Sequence, residues 1–209
     1  MADFSEIIDG ILKGKLKTIE GLVQGALDDG QDAKQLLNDG LLKSMDVVTQ
    51  KWKEGQIFVP EVLRSAKTMQ LGMDILKPHL VGGGNLSKGK YAIGTVKGDL
   101  HDIGKNLVTM MLESVGYEVI NLGTNLDPSV FVEQVEQGVP YIGISALLTT
   151  TVPEMQVIID SIEEAGLRDK CKIWVGGAPV TQEYADEIGA DFYAVDVAHC
   201  IEQLKSLQG

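Results

Sequence analysis

Apolar side chains repeat at helical spacing through the first 80 residues. Residues 4–12 and 16–27 carry apolar positions three or four apart, which predicts two amphipathic helices. A third helix is predicted over 33–52. A fourth begins near Pro60, because proline is favoured in the first turn of a helix, and it continues to about Leu80. Four helices joined by short turns predict a small antiparallel bundle.

A glycine-rich stretch follows these helices. Gly82, Gly83 and Gly84 are consecutive, and such a run resists both helix and strand formation. We therefore expect a linker over residues 82–90. It separates a helical domain over 1–81 from a second domain over 91–209, and it is a plausible hinge between them.

Beyond the linker, short apolar runs alternate with helical patterns. The strand candidates are 91–96, 118–122, 141–145, 172–175 and 191–194, and the helix candidates are 103–114, 128–137, 153–165, 181–188 and 197–207. Five strand–helix units predict an α/β domain in which a five-stranded, doubly wound parallel sheet has helices on both faces. The two most apolar strand candidates, 91–96 and 141–145, are expected at its centre.

Composition and charge narrow the possible partners. The chain is 44% hydrophobic and 23% charged, as in ordinary globular proteins, and its formal net charge of −12 argues against nucleic acid and anionic membranes. No apolar run reaches about 18 residues, so no transmembrane helix is expected. The N-terminal residues lack the features of a signal peptide, which favours a cytoplasmic location. Cys171 and Cys200 are far apart, and both are expected to be reduced packing residues.

The loop from Gly98 to Asn106 carries the most unusual chemistry. It joins strand 91–96 to helix 103–114, a junction where α/β sheets place ligands, and it holds His101 between two carboxylates. Asp102 suits a helix N-cap and Asp99 can accept from nearby backbone donors, which leaves His101 as an incidental polar residue. Alternatively, Asp99 accepts one ring N–H of His101 and leaves the other nitrogen for a metal. These residues alone leave both interpretations open.

Two other types of site do not fit this loop. A phosphate-binding loop fails because five residues separate Gly98 from Gly104 and because Asn106 stands where Ser or Thr is needed. A zinc site fails because no other His or Cys lies near; His79 and His199 are distant in sequence.

Two later loops follow strands of the same predicted sheet. Residues 145–151 combine two leucines with hydroxyl residues, which either cap a turn or form an apolar wall with a few hydrogen-bonding groups for a large ring system. Gly176 and Gly177 form either a simple turn or a place where side chains are excluded so that a bulky group can enter. Because all three loops open on the carboxyl edge of the sheet, one ligand can contact all of them.

Taken together, these pieces resemble a known family. The segment Asp99-Leu100-His101-Asp102-Ile103-Gly104, then Ser145-Ala146-Leu147, then Gly176-Gly177, is similar to the DxHxxG…SxL…GG pattern of Rossmann- or flavodoxin-like cobalamin-binding domains. The helical part, chiefly residues 55–63, resembles the cap domain before this module in cobalamin-dependent methionine synthase. It also resembles the small corrinoid proteins of methylamine and methanol methyltransferase systems. The resemblance covers nearly the whole chain.

The resemblance implies roles for individual residues. His101 is expected to ligate cobalt from below, Asp99 to hold its other ring nitrogen, and Thr151 to extend this relay where the family has serine. The expected cofactor-binding residues are Gly98, Asp99, His101, Asp102, Ile103, Gly104, Ser145, Leu147, Thr149, Gly176, Gly177, Trp52 and Val59.

Within that set, Ser145 and Thr149 are expected to hydrogen-bond the displaced nucleotide tail of the cofactor, and the three motif glycines, Gly104, Gly176 and Gly177, to line the channel that it enters. Trp52 and Val59 are placed over the methyl-bearing face. Ordinary bundle packing is an equally good interpretation of Trp52.

The resemblance also implies a function. The chain is expected to be a methyl carrier whose cofactor is cobalamin or a related corrinoid, such as methylcobalamin. Cobalt(I) accepts a methyl group from a substrate-specific methyltransferase, and methyl-cobalt(III) delivers it to a second methyltransferase that acts on folate or a thiol. A reductive-activation protein is a further expected partner. The chain is thus a subunit of a methyltransferase system rather than a complete enzyme.

Two other kinds of cobalamin protein are alternatives. One is a light or ligand sensor that regulates transcription, although nothing basic precedes Phe4. The other is the cobalamin subunit of a carbon-skeleton mutase, which commonly lacks a four-helix cap. The methyl donor and acceptor are not named by the sequence.

Overall fold

A computed structural model describes residues 4–80 and 87–207. The chain divides into two compact units, one formed by residues 1–86 with 114–116 and the other by 87–113 with 117–209. Residues 82–86 of the predicted linker lie outside the described residues, and Lys90, its last predicted residue, is the first residue of a strand. The exact bounds of the linker stay a prediction.

The first unit is helical. Its elements are α1 (Ser5–Leu12), α2 (Ile19–Asp28), α3 (Ala33–Gln35), a π-helical segment (Leu36–Leu42), α4 (Lys43–Lys53), α5 (Val59–Leu76) and a 3₁₀ turn (Lys77–Leu80). The predicted third helix therefore exists as one continuous helical stretch, but a π-helical segment interrupts its α-helical geometry. Apolar periodicity does not reveal such a segment, because the inserted residue changes the hydrogen-bond pattern without ending the helix.

The fourth predicted helix begins close to its expected position. Phe58 is in extended conformation before α5, and the side chain of Glu61 accepts the Phe58 backbone N–H at 2.7 Å. This contact satisfies a backbone donor before the first helical turn, where Pro60 lies. The fully buried bundle core is formed by Ile11, Ile19, Val23, Leu36, Leu41, Met45, Val48, Val62 and Leu76.

The second unit is an α/β domain. Its strands are β1 (Lys90–Val96), β2 (Glu118–Leu126), β3 (Tyr141–Ser145), β4 (Lys172–Gly176) and β5 (Phe192–Tyr193). Its helices are α6 (Ile103–Ser114), α7 (Pro128–Glu136), α8 (Glu154–Glu164), α9 (Gln182–Glu187) and α10 (Val197–Ser206), with a 3₁₀ turn at Arg168–Lys170. All strand pairs are parallel, in the order β2-β1-β3-β4-β5. The predicted fold class is confirmed, although β2 is longer and β5 shorter than predicted.

Alternating side chains of the strands pack against helices on both faces of the sheet. Ala92, Ile142 and Ile173 belong to a core shared with residues of α7, α8 and α9. On the opposite face, the Tyr91 hydroxyl lies 3.8 Å from the Cys200 sulfur in α10. The central strands are buried on both faces, which explains their continuous apolar sequences.

Strand order fixes where a ligand can bind. β1 pairs with β2 on one side and with β3 on the other, so the chain changes direction between β1 and β3. The loops after these two strands open at the carboxyl edge of the sheet, the usual ligand position in doubly wound folds. Among the described helices, none is long and apolar enough to span a membrane.

Candidate functional site

The buried carboxylate of Asp99 is the centre of the site. Its Oδ1 accepts the His101 backbone N–H at 3.0 Å and lies 2.7 Å from the ring nitrogen Nδ1 of His101. Its Oδ2 accepts the backbone N–H groups of Leu147 at 2.7 Å and Leu148 at 3.2 Å, and the Thr151 hydroxyl at 3.0 Å. The loops that follow β1 and β3 therefore meet at one side chain.

These contacts determine the ionisation of Asp99. Burial alone raises the pKa of its carboxyl group. Hydrogen bonds lower this pKa by more than burial raises it, and they come from the Leu147 and His101 N–H groups, the His101 ring and the Thr151 hydroxyl. The net effect holds the pKa of Asp99 well below its usual range, because hydrogen bonds to the charged form favour ionisation. The ionised carboxylate can only accept hydrogen bonds.

The ring of His101 is oriented by this carboxylate. Because Asp99 only accepts, the Nδ1 atom that faces it carries the proton, and Nε2 of the neutral ring keeps a free lone pair. The His101 side chain is 50% exposed, whereas the Asp99 side chain is fully buried. The arrangement presents one nitrogen donor at the carboxyl edge of the sheet.

The backbone of the His101 loop is held from two strands. Gly98 has φ +78°, and its N–H donates to the Asn125 side-chain oxygen at 2.8 Å. The Asn125 N–H donates to the Asp99 carbonyl oxygen at 3.0 Å. From β1, the buried Thr95 hydroxyl donates to the His101 carbonyl oxygen at 3.0 Å. Sequence reasoning did not identify Asn125 or Thr95.

The C-terminal end of the loop after β3 is held by two hydroxyl groups. The Thr151 hydroxyl lies 3.0 Å from Asp99 Oδ2 and 3.0 Å from the Leu148 carbonyl oxygen, and its single proton serves one of them at a time. The Tyr184 hydroxyl of α9 donates to the Val152 carbonyl oxygen at 2.9 Å. The hydroxyl of Thr151 thus reaches Asp99 in spite of its extra methyl group.

The motif glycines differ in whether the surrounding structure leaves room for a side chain. Gly177 has φ +133°, and a Cβ atom there would overlap the backbone carbonyl oxygen of Ala146. In turn, the Ala146 N–H donates to the Gly176 carbonyl oxygen at 3.2 Å. A Cβ on Gly104 would meet no atom within 4 Å. The strand ends themselves require Gly177, whereas no described contact requires Gly104.

The other predicted residues lie around this centre. Asp102 precedes α6, and its Oδ2 accepts the Asn106 side-chain amide at 2.9 Å. Ile103 and Leu147 are 87% and 42% exposed. Within the described part of the chain, the hydroxyl groups of Ser145 and Thr149 make no side-chain hydrogen bond. The loops after β1 and β3 therefore carry exposed apolar side chains together with the hydroxyl groups of Ser145 and Thr149.

Further apolar side chains are exposed at these loops, beyond the residues predicted to bind the cofactor. Leu100 is 73% exposed, Leu148 is 40% exposed and Val195, which follows β5, is 67% exposed. Their signal in the sequence is an apolar residue within a loop at a strand's carboxyl end. Exposed apolar side chains gathered at one edge indicate a surface that binds a ligand or a partner.

In the helical unit, the two residues predicted to contact the cofactor, Trp52 and Val59, lie in different helices. Trp52 is half-buried in α4, and Val59 is 40% exposed in the first turn of α5. Phe58, which precedes α5, is 68% exposed and was not predicted. The large apolar side chains that are exposed in the described helical unit are these two neighbours, Phe58 and Val59.

The donor set fits a metal whose other ligands belong to an organic cofactor. Among the described residues, no three His, Cys, Asp or Glu side chains are grouped so that they could hold a metal ion. His101 instead offers a single imidazole nitrogen, and its other nitrogen is fixed by a carboxylate as in many metal-binding histidines. Open space beside Gly104 and the exposed apolar side chains of the loops after β1 and β3 suit a large, mostly apolar ring system.

Comparison with known proteins agrees with this chemistry. Residues 89–202 match a family described as B12 binding domain, and residues 4–77 match a second family with that description. The chain is 40% identical to a corrinoid protein of Desulfitobacterium hafniense, over 100% of this chain and 99% of that one. It is 38% identical to the dimethylamine corrinoid protein of Methanosarcina barkeri, over 97% and 95% of the two chains.

Solved structures give the same result. The fold superposes with a TM-score of 0.86 on the methanol:cobalamin methyltransferase complex of Methanosarcina barkeri, at 29% identity over 96% of this chain and 77% of that chain. A cobalamin-binding protein of Desulfitobacterium hafniense gives a TM-score of 0.81, at 27% identity over 99% of both chains.

Proposed function

The chain belongs to the family of B12-binding corrinoid proteins, and we propose that it carries methyl groups between two methyltransferases. Its cofactor is cobalamin or a related corrinoid. The observation that carries the proposal is the His101 ring, which Asp99 holds by Nδ1 at 2.7 Å beside the strand ends where such folds bind ligands. When bound, the corrinoid supplies a cobalt centre that can take up a methyl group and release it.

The residues of the site have separate tasks in this proposal. His101 presents Nε2 to the cobalt, and Asp99 keeps the proton on Nδ1 and fixes the plane of the ring. Thr151 supports Asp99 from the opposite oxygen. The hydroxyl groups of Ser145 and Thr149 bind polar atoms of the nucleotide tail, for which they have no competing side-chain hydrogen bond within the described residues.

We assign the glycines and the helical unit complementary roles. Gly104, Gly176 and Gly177 leave room for the tail. Trp52 and Val59 contact the methyl-bearing face of the cofactor, and we add Phe58 to this set because it is 68% exposed beside Val59. Covering that face excludes water from a reactive centre, and the cover has to move when a partner protein exchanges the methyl group.

Partner proteins follow from the same proposal. A donor methyltransferase, an acceptor methyltransferase for folate or a thiol, and a reductive-activation protein complete the system. Several relatives are named for dimethylamine or trimethylamine, so a methylamine-specific methyltransferase is the donor to test first. A light or ligand sensor is the alternative function, and light-dependent oligomerisation of the loaded protein would favour it.

Ligation by His101 is tested in protein that contains nitrogen-15-labelled histidine. The protein is loaded with hydroxocobalamin and reduced to cobalt(II), and the electron paramagnetic resonance spectrum is recorded. We expect a doublet splitting from one labelled nitrogen in the parent and in the control His199→Ala, and no doublet in His101→Ala. A doublet that persists in His101→Ala would contradict the assignment of the ligand.

Methyl transfer is tested separately. The methyl-loaded protein is mixed with a thiol methyltransferase and its thiol substrate, which accepts the methyl group. The protein in its cobalt(I) state is mixed with a methylamine methyltransferase and its methylamine substrate. We expect the absorption spectrum to report loss of the methyl group in the first mixture and its uptake in the second. A loaded protein that exchanges methyl groups with neither class of enzyme would contradict the carrier function.

A further inference from the structure

We propose that Asn125 is a positioning residue that sets where the His101 imidazole stands. The described hydrogen bonds of Asn125 are with the main chain of Gly98 and Asp99 and not with the ring, so it acts through that main chain. The inference rests on the proposed role of His101 as the cobalt ligand, and it concerns a residue outside the sequence motif.

The backbone of Asn125 is in an unusual conformation. Its φ is +55°, and among the described residues no other non-glycine residue has a positive φ. Asn tolerates this left-handed region better than most residues, but the conformation persists only where surrounding contacts determine it. Such outliers concentrate at functional sites, and here the contacts that determine it are with the His101 loop.

The pairing of β1 with β2 is irregular at the same place. Ile93 pairs with Asn121, but Gly94 pairs with Gly123 and Val96 with Leu126. β2 therefore contains extra residues relative to β1 as it approaches Asn125. Bulges of this kind bend a strand and direct its end towards a site, and they are common next to functional residues.

Two hydrogen bonds join this bulged end to the loop. The Asn125 side-chain oxygen accepts the Gly98 N–H at 2.8 Å, and the Asn125 N–H donates to the Asp99 carbonyl oxygen at 3.0 Å. They hold the Gly98–Asp99 segment from both ends, so the Asp99 α-carbon is fixed relative to β2. Because the Asp99 carboxylate orients His101, the position of the ring depends on Asn125.

This support differs from that of Thr151. The Thr151 hydroxyl acts on the Asp99 carboxylate itself, whereas Asn125 acts on the main chain that precedes it. Loss of the Asn125 side chain therefore leaves the donors on the carboxylate in place. We expect loss of the Asn125 side chain to shift the His101 ring without removing the Asp99 carboxylate that orients the ring.

Three substitutions separate these effects. Asn125→Gly keeps the left-handed backbone and the main-chain donor but removes the side-chain acceptor. Asn125→Ala also lacks the acceptor and has a stiffer backbone, so it provides a second measurement if the glycine variant does not fold. Asn125→Asp keeps an oxygen acceptor and tolerates positive φ, and it should restore the parent behaviour. Gln137→Ala is the control for loss of an exposed side-chain hydrogen bond elsewhere, since Gln137 donates to Glu133 at 3.0 Å.

The first measurement uses the protein without corrinoid. Amide hydrogen exchange at Gly98 should accelerate on the order of fivefold to tenfold in Asn125→Gly and Asn125→Ala, as expected for loss of one hydrogen bond. It should stay at the parent rate in Asn125→Asp and Gln137→Ala. An unchanged Gly98 rate in Asn125→Gly and Asn125→Ala would show that the hydrogen bond does not hold the loop, and would overturn the proposal.

The second measurement uses protein loaded with hydroxocobalamin, reduced to cobalt(II) and labelled with nitrogen-15 histidine. The fraction of cobalt that shows the histidine doublet should fall in Asn125→Gly and Asn125→Ala and be restored in Asn125→Asp. If the parent itself shows no doublet, the proposed ligand role of His101 fails. If the parent shows the doublet and Asn125→Gly shows it to the same extent, the positioning role of Asn125 alone is overturned.

Discussion

Substitution Gly177→Ala should destabilise the sheet unit even without cofactor. Gly177 has φ +133°, and the new Cβ would overlap the Ala146 carbonyl oxygen, a backbone atom that cannot rotate away. A sparsely populated backbone conformation costs about 1–3 kcal/mol, and forced overpacking adds about 1–3 kcal/mol. The expected loss of about 2–6 kcal/mol is a large part of the roughly 5–15 kcal/mol that stabilises a domain.

Urea unfolding of the cofactor-free protein measures this loss. The chain contains two tryptophans, and Trp174 is buried in β4, so a Trp52→Phe background makes fluorescence report on the sheet unit alone. With a slope of about 1–3 kcal/mol per molar urea, the midpoint should fall by about 1 M or more.

Gly104→Ala is the matched control for Gly177→Ala. Gly104 lies in the first turn of α6, where a Cβ meets no atom within 4 Å, and alanine favours a helix by up to about 1 kcal/mol. We expect the cofactor-free protein to be equally or more stable and its hydroxocobalamin affinity to be lower. A Gly177→Ala protein as stable as the parent would refute the steric argument. Unchanged corrinoid affinity in Gly104→Ala would refute the proposed role of Gly104 in lining the channel for the nucleotide tail.

Two further predictions concern the carboxylates of Asp99 and Asp191. Thr151→Val removes a hydroxyl that donates to Asp99 at 3.0 Å and should lower the free energy of unfolding by about 1.5–3 kcal/mol, whereas Thr151→Ser should restore most of it in urea titrations. Burial raises the pKa of the Asp191 carboxyl, but hydrogen bonds led by the Lys172 ammonium and including Arg168 lower it below its usual range. Because the pKa of Asp191 is lower in the folded state, its ionised form stabilises the fold at pH values above the unfolded-state pKa of about 3.9. This stabilisation is lost as the pH falls through the folded-state pKa. Asp191→Asn should therefore reduce the free energy of unfolding more at about pH 6 than at about pH 3. An equal cost at both pH values would contradict this linkage.

The architecture was predictable because apolar positions at helical spacing, short apolar strand runs and the turn residues between them were clear in the sequence. Strand β3 and helix α6 have the predicted bounds, and the other sheet-unit elements differ by a few residues. The extension of β2 to Leu126 was missed, since a bulge arises from backbone pairing with β1 and leaves no alternation of side chains to recognise. The π-helical segment was missed because it continues the helix, and the apolar positions over 33–52 were assigned to a single helix.

For the site, side-chain chemistry was visible in the sequence and backbone chemistry was not. Residue types two positions apart offered the pairing of Asp99 with His101 as one of two interpretations, and the family resemblance favoured it. The N–H groups of Leu147 and Leu148 on the same carboxylate leave no such signal, because any residue except proline supplies such a donor. Asn125 was missed because its function depends on a positive φ, which the sequence pattern does not determine.

The three pieces of the motif are connected by contacts within the chain itself. Asp99 accepts the Leu147 N–H, and the preceding residue, Ala146, donates to Gly176 and stands against Gly177. A change at the glycine pair can therefore reach Asp99 through Ala146 and Leu147, although neither Gly176 nor Gly177 is among the described hydrogen-bond donors to the carboxylate.

This connection gives Gly177→Ala a second expected effect. If the strand ends β3 and β4 separate to admit the Cβ, the Leu147 N–H moves with Ala146 and its 2.7 Å bond to Asp99 weakens. Amide exchange at Leu147 should then accelerate more than exchange at residues in α9, which lies outside this chain of contacts. Equal acceleration at both places would indicate a uniform loss of stability, and the motif pieces would then be neighbours without being mechanically coupled.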